Sequence, residues 1–118
     1  MGDIPINVLF VCSRNQWRSP TAEHVWRNEP GINVRSAGTA SSARRRIGLA
    51  DVQWSDLILV MEEKHKSRIK AEFRQAAAHK RIEVLDIPDE YGFLDEELIE
   101  ILREKCATLF EGDASEID

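Results

Sequence analysis

Apolar residues along this chain form short continuous runs and longer stretches with helical spacing. The runs predict four β-strands, at residues 8–12, 32–36, 57–61 and 82–85. The third run is apolar throughout, which is typical of a central strand in a parallel sheet. Helical spacing predicts a first helix after residue 18, a second over residues 62–78, and a last one over residues 94–109.

The ends of these elements carry their own signals. Ser19 and Pro20 predict a helix start, with serine at the cap and proline at the first helical position. The order is β-α-β, a short link, then β-α-β-α, which predicts an α/β fold with a four-stranded parallel sheet and helices on both faces. We expect one domain over residues 1–118, with a loose acidic tail from about residue 112.

Composition narrows the class of protein. With 118 residues, 42% of them hydrophobic, the chain suits one soluble domain. No apolar run approaches the roughly 18–20 residues of a membrane span, and the first residues do not form a secretory signal, so we expect a cytoplasmic protein without membrane attachment. The net charge of −5 does not favour nucleic acid as a partner.

The few cysteines and histidines limit the possible metal and disulfide chemistry. Two cysteines, Cys12 and Cys106, do not form a disulfide framework. The three histidines lack metal-ligand spacing relative to them. We expect no metal and no cofactor.

The candidate chemistry lies between the first strand and the first helix, in the segment CSRNQWRS at residues 12–19. Such a loop can turn successive N–H groups inward as a nest for a phosphate dianion, and the helix N-terminus adds its positive dipole. Arg18 can present two parallel donors to phosphate oxygens. The same positive field favours the thiolate of Cys12, which is the nucleophilic form.

These properties define a predicted site. Cys12 is the candidate nucleophile, Ser19 can hold the thiolate by a hydrogen bond, and Asn15 tolerates the left-handed backbone that a tight loop requires. The alternatives are a buried apolar Cys12 and a surface ion pair for Arg18. The predicted phosphate-binding residues are Ser13, Arg14, Asn15, Gln16, Trp17, Arg18 and Ser19.

The segments VLFVC at 8–12 and RSPTAE at 18–23, with Asn15 between them, resemble the opening of the low-molecular-weight protein tyrosine phosphatases. The segments SAGT at 36–39 and DLILVM at 56–61 resemble later parts of that family. The resemblance implies a flavodoxin-like, phosphotyrosine phosphatase I-like fold. It also implies hydrolysis of phosphotyrosine or a related phosphomonoester through a cysteinyl-phosphate intermediate, with a phosphorylated protein or a small phosphomonoester as partner.

Such a reaction needs an acid for the leaving oxygen, which then acts as base towards water. The family carries it in a late Asp-Pro-Tyr element, and the nearest match here is Asp89-Glu90-Tyr91, without the middle proline. Asp86 follows the same predicted strand and remains the alternative. We favour Asp89 because Tyr91 fits the family's aromatic wall at the substrate rim.

The chain departs from the family at the loop. Arg14 stands where the family usually has glycine. The residue at the position of Gln16 helps to separate phosphotyrosine from phosphoarginine specificity in the family, and glutamine matches neither pattern. The identity of the substrate therefore stays open. Trp17 replaces a second cysteine that often forms a protective disulfide, and we place it at the rim. Cys106 and Trp54 are predicted to be structural core residues.

The link between residues 39 and 56 is much shorter than in the family, which predicts a shallow, open pocket. It contains Arg44, Arg45 and Arg46, interpreted either as a solvated charge run or as a surface for an acidic or phosphorylated partner.

Three other functions are alternatives to hydrolysis. A non-catalytic phosphate- or phosphoprotein-binding module is compatible with the short link, the imperfect acid motif and Arg14. Arsenate reduction needs more exchanging thiols than Cys106 offers. Nucleic-acid binding rests on the arginine triplet alone. The sequence leaves the oligomeric state open.

Overall fold

The computed structural model describes residues 5–115, with side chains as far as Phe110. One parallel sheet in the order β2-β1-β3-β4 forms its centre. Its strands are β1 (Ile6–Cys12), β2 (Ile32–Gly38), β3 (Leu57–Val60) and β4 (Arg81–Val84). The predicted α/β class and the four-stranded parallel sheet are confirmed, and each strand lies close to its expected position.

Helices cover both faces of the sheet. They are α1 (Arg18–Trp26), α2 (Leu49–Trp54), α3 (Glu63–Glu72), α4 (Arg74–Ala77) and α5 (Glu96–Ser115). Alternate residues of β1 serve the two faces, since Val8 and Phe10 pack with residues of α1 and α5, whereas Leu9 and Val11 pack with residues of α2, α3 and α4. In the described part of the chain, no helix is both long and apolar enough to cross a bilayer.

Four features of the helices differ from the sequence prediction. Helix α1 begins at Arg18, and Ser19 is not its cap, because the Ser19 hydroxyl is committed to Cys12 and the loop. The predicted helix over residues 62–78 is broken at Phe73, whose φ of −121° and ψ of 53° are not helical. Phe73 packs against the core at this break.

The third and fourth differences concern the link and the C-terminal end. The link contains the unpredicted helix α2, whose start is held by the Asp51 carboxylate accepting the Gly48 N–H at 3.1 Å. Helix α5 reaches Ser115, past the expected start of the loose tail, and the rest of that tail lies outside the described residues.

The arginine triplet ties the link to three different parts of the fold. Arg45 donates to the Asp51 carboxylate at 2.7 Å and to the Ser36 carbonyl at 2.5 Å. Arg46 donates to both carboxylate oxygens of Glu72 at 2.8 Å. Since Arg44 contacts the loop that follows β1, the triplet is a set of structural connections and not a freely solvated run.

Candidate active site

The candidate site lies at the carboxyl ends of β1, β3 and β4, where ligands of parallel sheets bind. Cys12 is the last residue of β1. Beyond β4 the chain continues beside β3, with the N–H of Leu85 bonded to the Val60 carbonyl at 2.8 Å and that of Ile87 to the Met61 carbonyl at 2.9 Å. This extension brings residues 87–89 next to the loop that follows Cys12.

A hydroxyl and a backbone N–H meet at the sulfur of Cys12. Its Sγ lies 3.0 Å from the Ser19 hydroxyl and 3.3 Å from the backbone nitrogen of Asn15. Asn15 takes the left-handed conformation, with a φ of 55°, as its residue type suggested. A hydroxyl and an amide N–H at these distances can each donate a hydrogen bond to a sulfur anion.

The Asn15 side chain is buried beneath the loop and does not face the cavity. Its Nδ2 donates to the hydroxyls of Ser19 and Ser36, each at 2.9 Å. Ser36 in turn donates to the Glu23 carboxylate at 2.5 Å. The side chains of Asn15 and Ser19 therefore fix the base of the loop and contact its sulfur.

The loop carbonyls are tied outward, to the segment that follows β2. The carbonyls of Ser13 and Arg14 accept from the N–H groups of Ala40 and Arg44, each at 2.9 Å, and the Asn15 carbonyl accepts from Arg44 Nε at 3.0 Å. In a planar trans peptide the C=O and the next N–H point in opposite directions. The N–H groups that follow these carbonyls are thus turned inward, as an anion nest requires.

Arg18 is buried, with 2% of its side chain exposed. Its Nη1 donates to the Glu62 carboxylate at 2.7 Å and to the Ile87 carbonyl at 2.8 Å, while its Nε lies 3.6 Å from the Asp89 carboxylate. The hydrogen bond from Arg18 holds the pKa of the Glu62 carboxyl below its usual value. Glu62 therefore stays ionised and balances the buried guanidinium.

His65 supports the loop from the start of α3. Its Nδ1 accepts the Glu62 N–H at 3.0 Å, so its proton is on Nε2, which donates to the Ser13 hydroxyl at 2.9 Å. Burial lowers the pKa of His65 to about 4. At neutral pH the ring is uncharged and acts as a fixed donor beneath the loop.

These groups surround a cavity of about 400 Å³, lined by Cys12, Ser13, Arg14, Gln16, Trp17, Arg18, Lys64 and Asp89. Trp17, 45% exposed, lies at the rim as predicted. Glu62, Lys64 and His65 were missed from the sequence. The signal that could have found them is their position directly after a buried strand, at the same sheet edge as Cys12.

The structure separates the two candidate acids. Asp89 lines the cavity, whereas Asp86, with a φ of 56°, lies in a different depression beside residues of α5. Tyr91 does not line the cavity and is half-buried against the core, and Trp17 is the aromatic residue among those that line it. The predicted core residue Cys106 is fully buried, and Trp54 is half-buried under the Arg35 guanidinium at 4.2 Å.

Comparison with known proteins gives relatives in structure alone, since the sequence matches no family model and no curated protein. The YwlE arginine phosphatase from Geobacillus stearothermophilus is 24% identical, with a TM-score of 0.74 over 95% of this chain and 97% of that one. The tyrosine phosphatase Wzb from Escherichia coli K30 is 21% identical, with a TM-score of 0.76 over 92% and 99%.

A low molecular weight protein tyrosine phosphatase from T. tengcongensis gives a TM-score of 0.76 at 21% identity, over 91% of this chain and 99% of that one. The resemblance seen in the sequence motifs thus extends to the fold of nearly the whole chain. This protein has the fold of the low molecular weight protein tyrosine phosphatases.

Proposed function

We propose that this protein is a cysteine-dependent phosphatase that hydrolyses phosphotyrosine or a related phosphomonoester. The observation that carries the proposal is the Cys12 sulfur, which faces a cavity, accepts the Asn15 N–H and lies 3.0 Å from the Ser19 hydroxyl. A merely structural cysteine needs neither the nest around it nor a buried arginine beside it. The fold shared with an arginine phosphatase and with a tyrosine phosphatase supports the class and makes both kinds of substrate worth assaying.

The geometry suggests how the phosphoryl group is bound. The inward N–H groups of the loop hold its oxygens, and Arg18 adds charge-assisted donors. Glu62 and the Ile87 carbonyl fix Nη1 of Arg18, which leaves Nη2 and Nε for the substrate. Because Nε is only 3.6 Å from Asp89, a bound dianion takes over this donor and frees the carboxyl group for proton transfer.

The reaction then has two steps. The Cys12 thiolate attacks phosphorus, the bond from phosphorus to the substrate oxygen breaks, and Asp89 gives that oxygen its proton. Water next attacks the phosphocysteine, Asp89 takes a proton from it, and the sulfur leaves as thiolate with a hydrogen bond from Ser19. Phosphate is released and the starting protonation states are restored.

Turnover of an aryl phosphate by matched variants tests this function. We expect wild type to release phosphate, Cys12→Ser to release none, and Asp89→Asn to lose about 10²–10⁴-fold in kcat, the usual contribution of a general acid. Asp86→Asn is the control, because asparagine tolerates the positive φ of that exposed position.

Two outcomes would redirect the assignment. A large loss in Asp86→Asn with normal Asp89→Asn would move the acid role to Asp86. Wild type that binds phosphate or a phosphopeptide without any turnover of aryl phosphate or phosphoarginine would favour the non-catalytic binding module.

A further inference from the structure

A second groove adjoins the Cys12 cavity on the side of α1. It encloses about 510 Å³ and shares Gln16 with the cavity, so the two depressions form one continuous surface. Its walls come from α1, the arginine link and the loop before α5. We call it the flanking groove and define it by Gln16, His24, Arg27, Arg44, Arg45 and Phe93.

The flanking groove carries positive charge that the fold does not neutralise. Arg27 is exposed and has no ion-pair or hydrogen-bond partner among the residues that the structure describes. Arg44 uses Nε for the Asn15 carbonyl, and no described group accepts from its two terminal nitrogens. The wall also carries one carboxylate, Glu23, which accepts the Ser36 hydroxyl and keeps its negative charge, so the three arginines of the groove outnumber it.

This concentration of cations contrasts with the whole protein, whose net charge is −5. Arg14 adds a further exposed cation on the cavity side of Gln16, and no described residue pairs with its guanidinium. Grouped charges of one sign beside a concave site raise the local concentration of oppositely charged ligands and select among them. The groove is therefore complementary to carboxylates that arrive together with the phosphate.

One end of the groove also offers apolar contact. Phe93 is 52% exposed, and its ring meets His24 edge to face with centroids 6.5 Å apart. An extended peptide advances about 3.3 Å per residue, so side chains one to three residues from a phosphorylated residue in the cavity reach this region. A polypeptide fits the combination of cations and an aromatic end better than a small phosphomonoester does.

We infer that the flanking groove binds acidic side chains next to the phosphorylated residue of a polypeptide substrate, with Arg27 as a specificity-determining residue. The inference rests on the proposed phosphatase function and names the substrate class of that same site. Arg44 contributes charge here too, but it is unsuitable as a test position because it also holds the catalytic loop.

The test compares two phosphotyrosine peptides of equal length, one with Glu and Asp beside the phosphotyrosine and one with Gln and Asn there. The variants are wild type, Arg27→Gln and the control Arg74→Gln, an exposed arginine of α4 on the opposite face of the sheet. We expect wild type to prefer the acidic peptide in kcat/KM by about threefold or more, as exposed charge pairs produce.

Arg27→Gln should reduce that preference by at least half and Arg74→Gln should leave it unchanged, while turnover of p-nitrophenyl phosphate stays the same in all three. Equal kcat/KM for the two peptides in wild type, or a preference that survives Arg27→Gln, would overturn the inference and leave the phosphatase standing. If wild type turns over no phosphomonoester, the proposed function fails. Fluorescence anisotropy of the same two peptides then tests the groove by binding alone. Tighter binding of the acidic peptide that is lost in Arg27→Gln supports the groove, and equal binding of both peptides overturns it.

Discussion

The Nε of Arg44 donates a hydrogen bond to the carbonyl oxygen of Asn15 at 3.0 Å. Asn15 is the left-handed residue of the loop that follows Cys12, and its side chain is fixed from beneath by Ser19 and Ser36. Arg44 thus holds the same residue from the outer side, and its own N–H holds the Arg14 carbonyl. The short link braces the loop directly.

Removing this brace should weaken anion binding and catalysis together. In Arg44→Ala the Asn15 carbonyl loses a hydrogen bond from a charged donor, an interaction worth about 1.5–3 kcal/mol. Part of this free energy stabilises the conformation of the loop. We expect kcat/KM for an aryl phosphate to fall about tenfold and the inhibition constant of vanadate to rise by a similar factor. Both are measured by steady-state kinetics.

The matched control is Arg46→Ala, which removes an arginine of the same link that binds Glu72. It should lower stability slightly without changing vanadate affinity. Equal vanadate affinity in wild type and Arg44→Ala would show that the loop keeps its shape without the brace.

Acid should destabilise the protein through His65. Its pKa in the folded protein is about 4, against 6.5 for an unperturbed histidine, because burial disfavours the charged ring. Protonation therefore favours the unfolded chain. The stability is fully present above pH 6.5 and is lost as the pH falls towards 4, by about 2 kcal/mol between pH 7 and pH 5.

Urea denaturation at pH 7, 6 and 5 measures this slope. His65→Gln should be less stable at pH 7 but should show a flatter dependence over that range, whereas His79→Gln, at an exposed position, should behave as wild type. A slope in His65→Gln as steep as that of wild type would assign the acid sensitivity to other groups. Glu62, with its lowered pKa, loses its contribution to stability only below pH 4.5, the ordinary pKa of a glutamate.

The two cysteines should differ sharply in reactivity. Cys106 is fully buried against α1 and the sheet, and burial raises the pKa of its thiol to about 12, so it is protonated at neutral pH. Cys12 faces the cavity, with the Ser19 hydroxyl and the Asn15 N–H at its sulfur. Iodoacetate at pH 7 should carboxymethylate Cys12 first, and phosphate should slow that reaction.

Mass spectrometry of proteolytic peptides identifies the modified cysteine. Cys106 should react only after denaturation, and Cys12→Ser should remove the phosphate-sensitive modification. Labelling of native Cys106 at the rate of Cys12 would contradict the burial described for α5.

The parts of the fold and of the candidate site that could be predicted from the sequence are those whose residues are neighbours along the chain. The strands, Cys12 and Arg18 were predictable, since apolar runs and a loop between strand and helix are continuous in the chain. Glu62 and His65 were not, because they contact loop residues far away in sequence through the pairing of β1 with β3. The position of Asp89 at the cavity was likewise not predictable, because it depends on the segment beyond β4 running alongside β3.

Two of the misplaced helices have local causes that sequence patterns do not resolve. Helix α2 has six residues and follows a glycine, so neither its length nor its cap gives a clear signal. The break at Phe73 interrupts a stretch whose apolar spacing is continuous, because packing of the aromatic ring overrides helix propensity.

Gly38 should be irreplaceable for a steric reason. It pairs with Cys12 at the end of the sheet, and a Cβ there would lie 2.6 Å from the Ser13 carbonyl oxygen and 2.9 Å from the Asn15 nitrogen. Both are backbone atoms of the loop that follows Cys12, so Gly38→Ala must displace that loop. We expect a loss of about 1–3 kcal/mol in unfolding free energy and at least tenfold in kcat/KM for an aryl phosphate.

Gly48→Ala controls for the added methyl group, because a Cβ at Gly48 meets no atom within 4 Å. A normal kcat/KM in Gly38→Ala would contradict the prediction, because it would show that displacing the loop does not impair turnover.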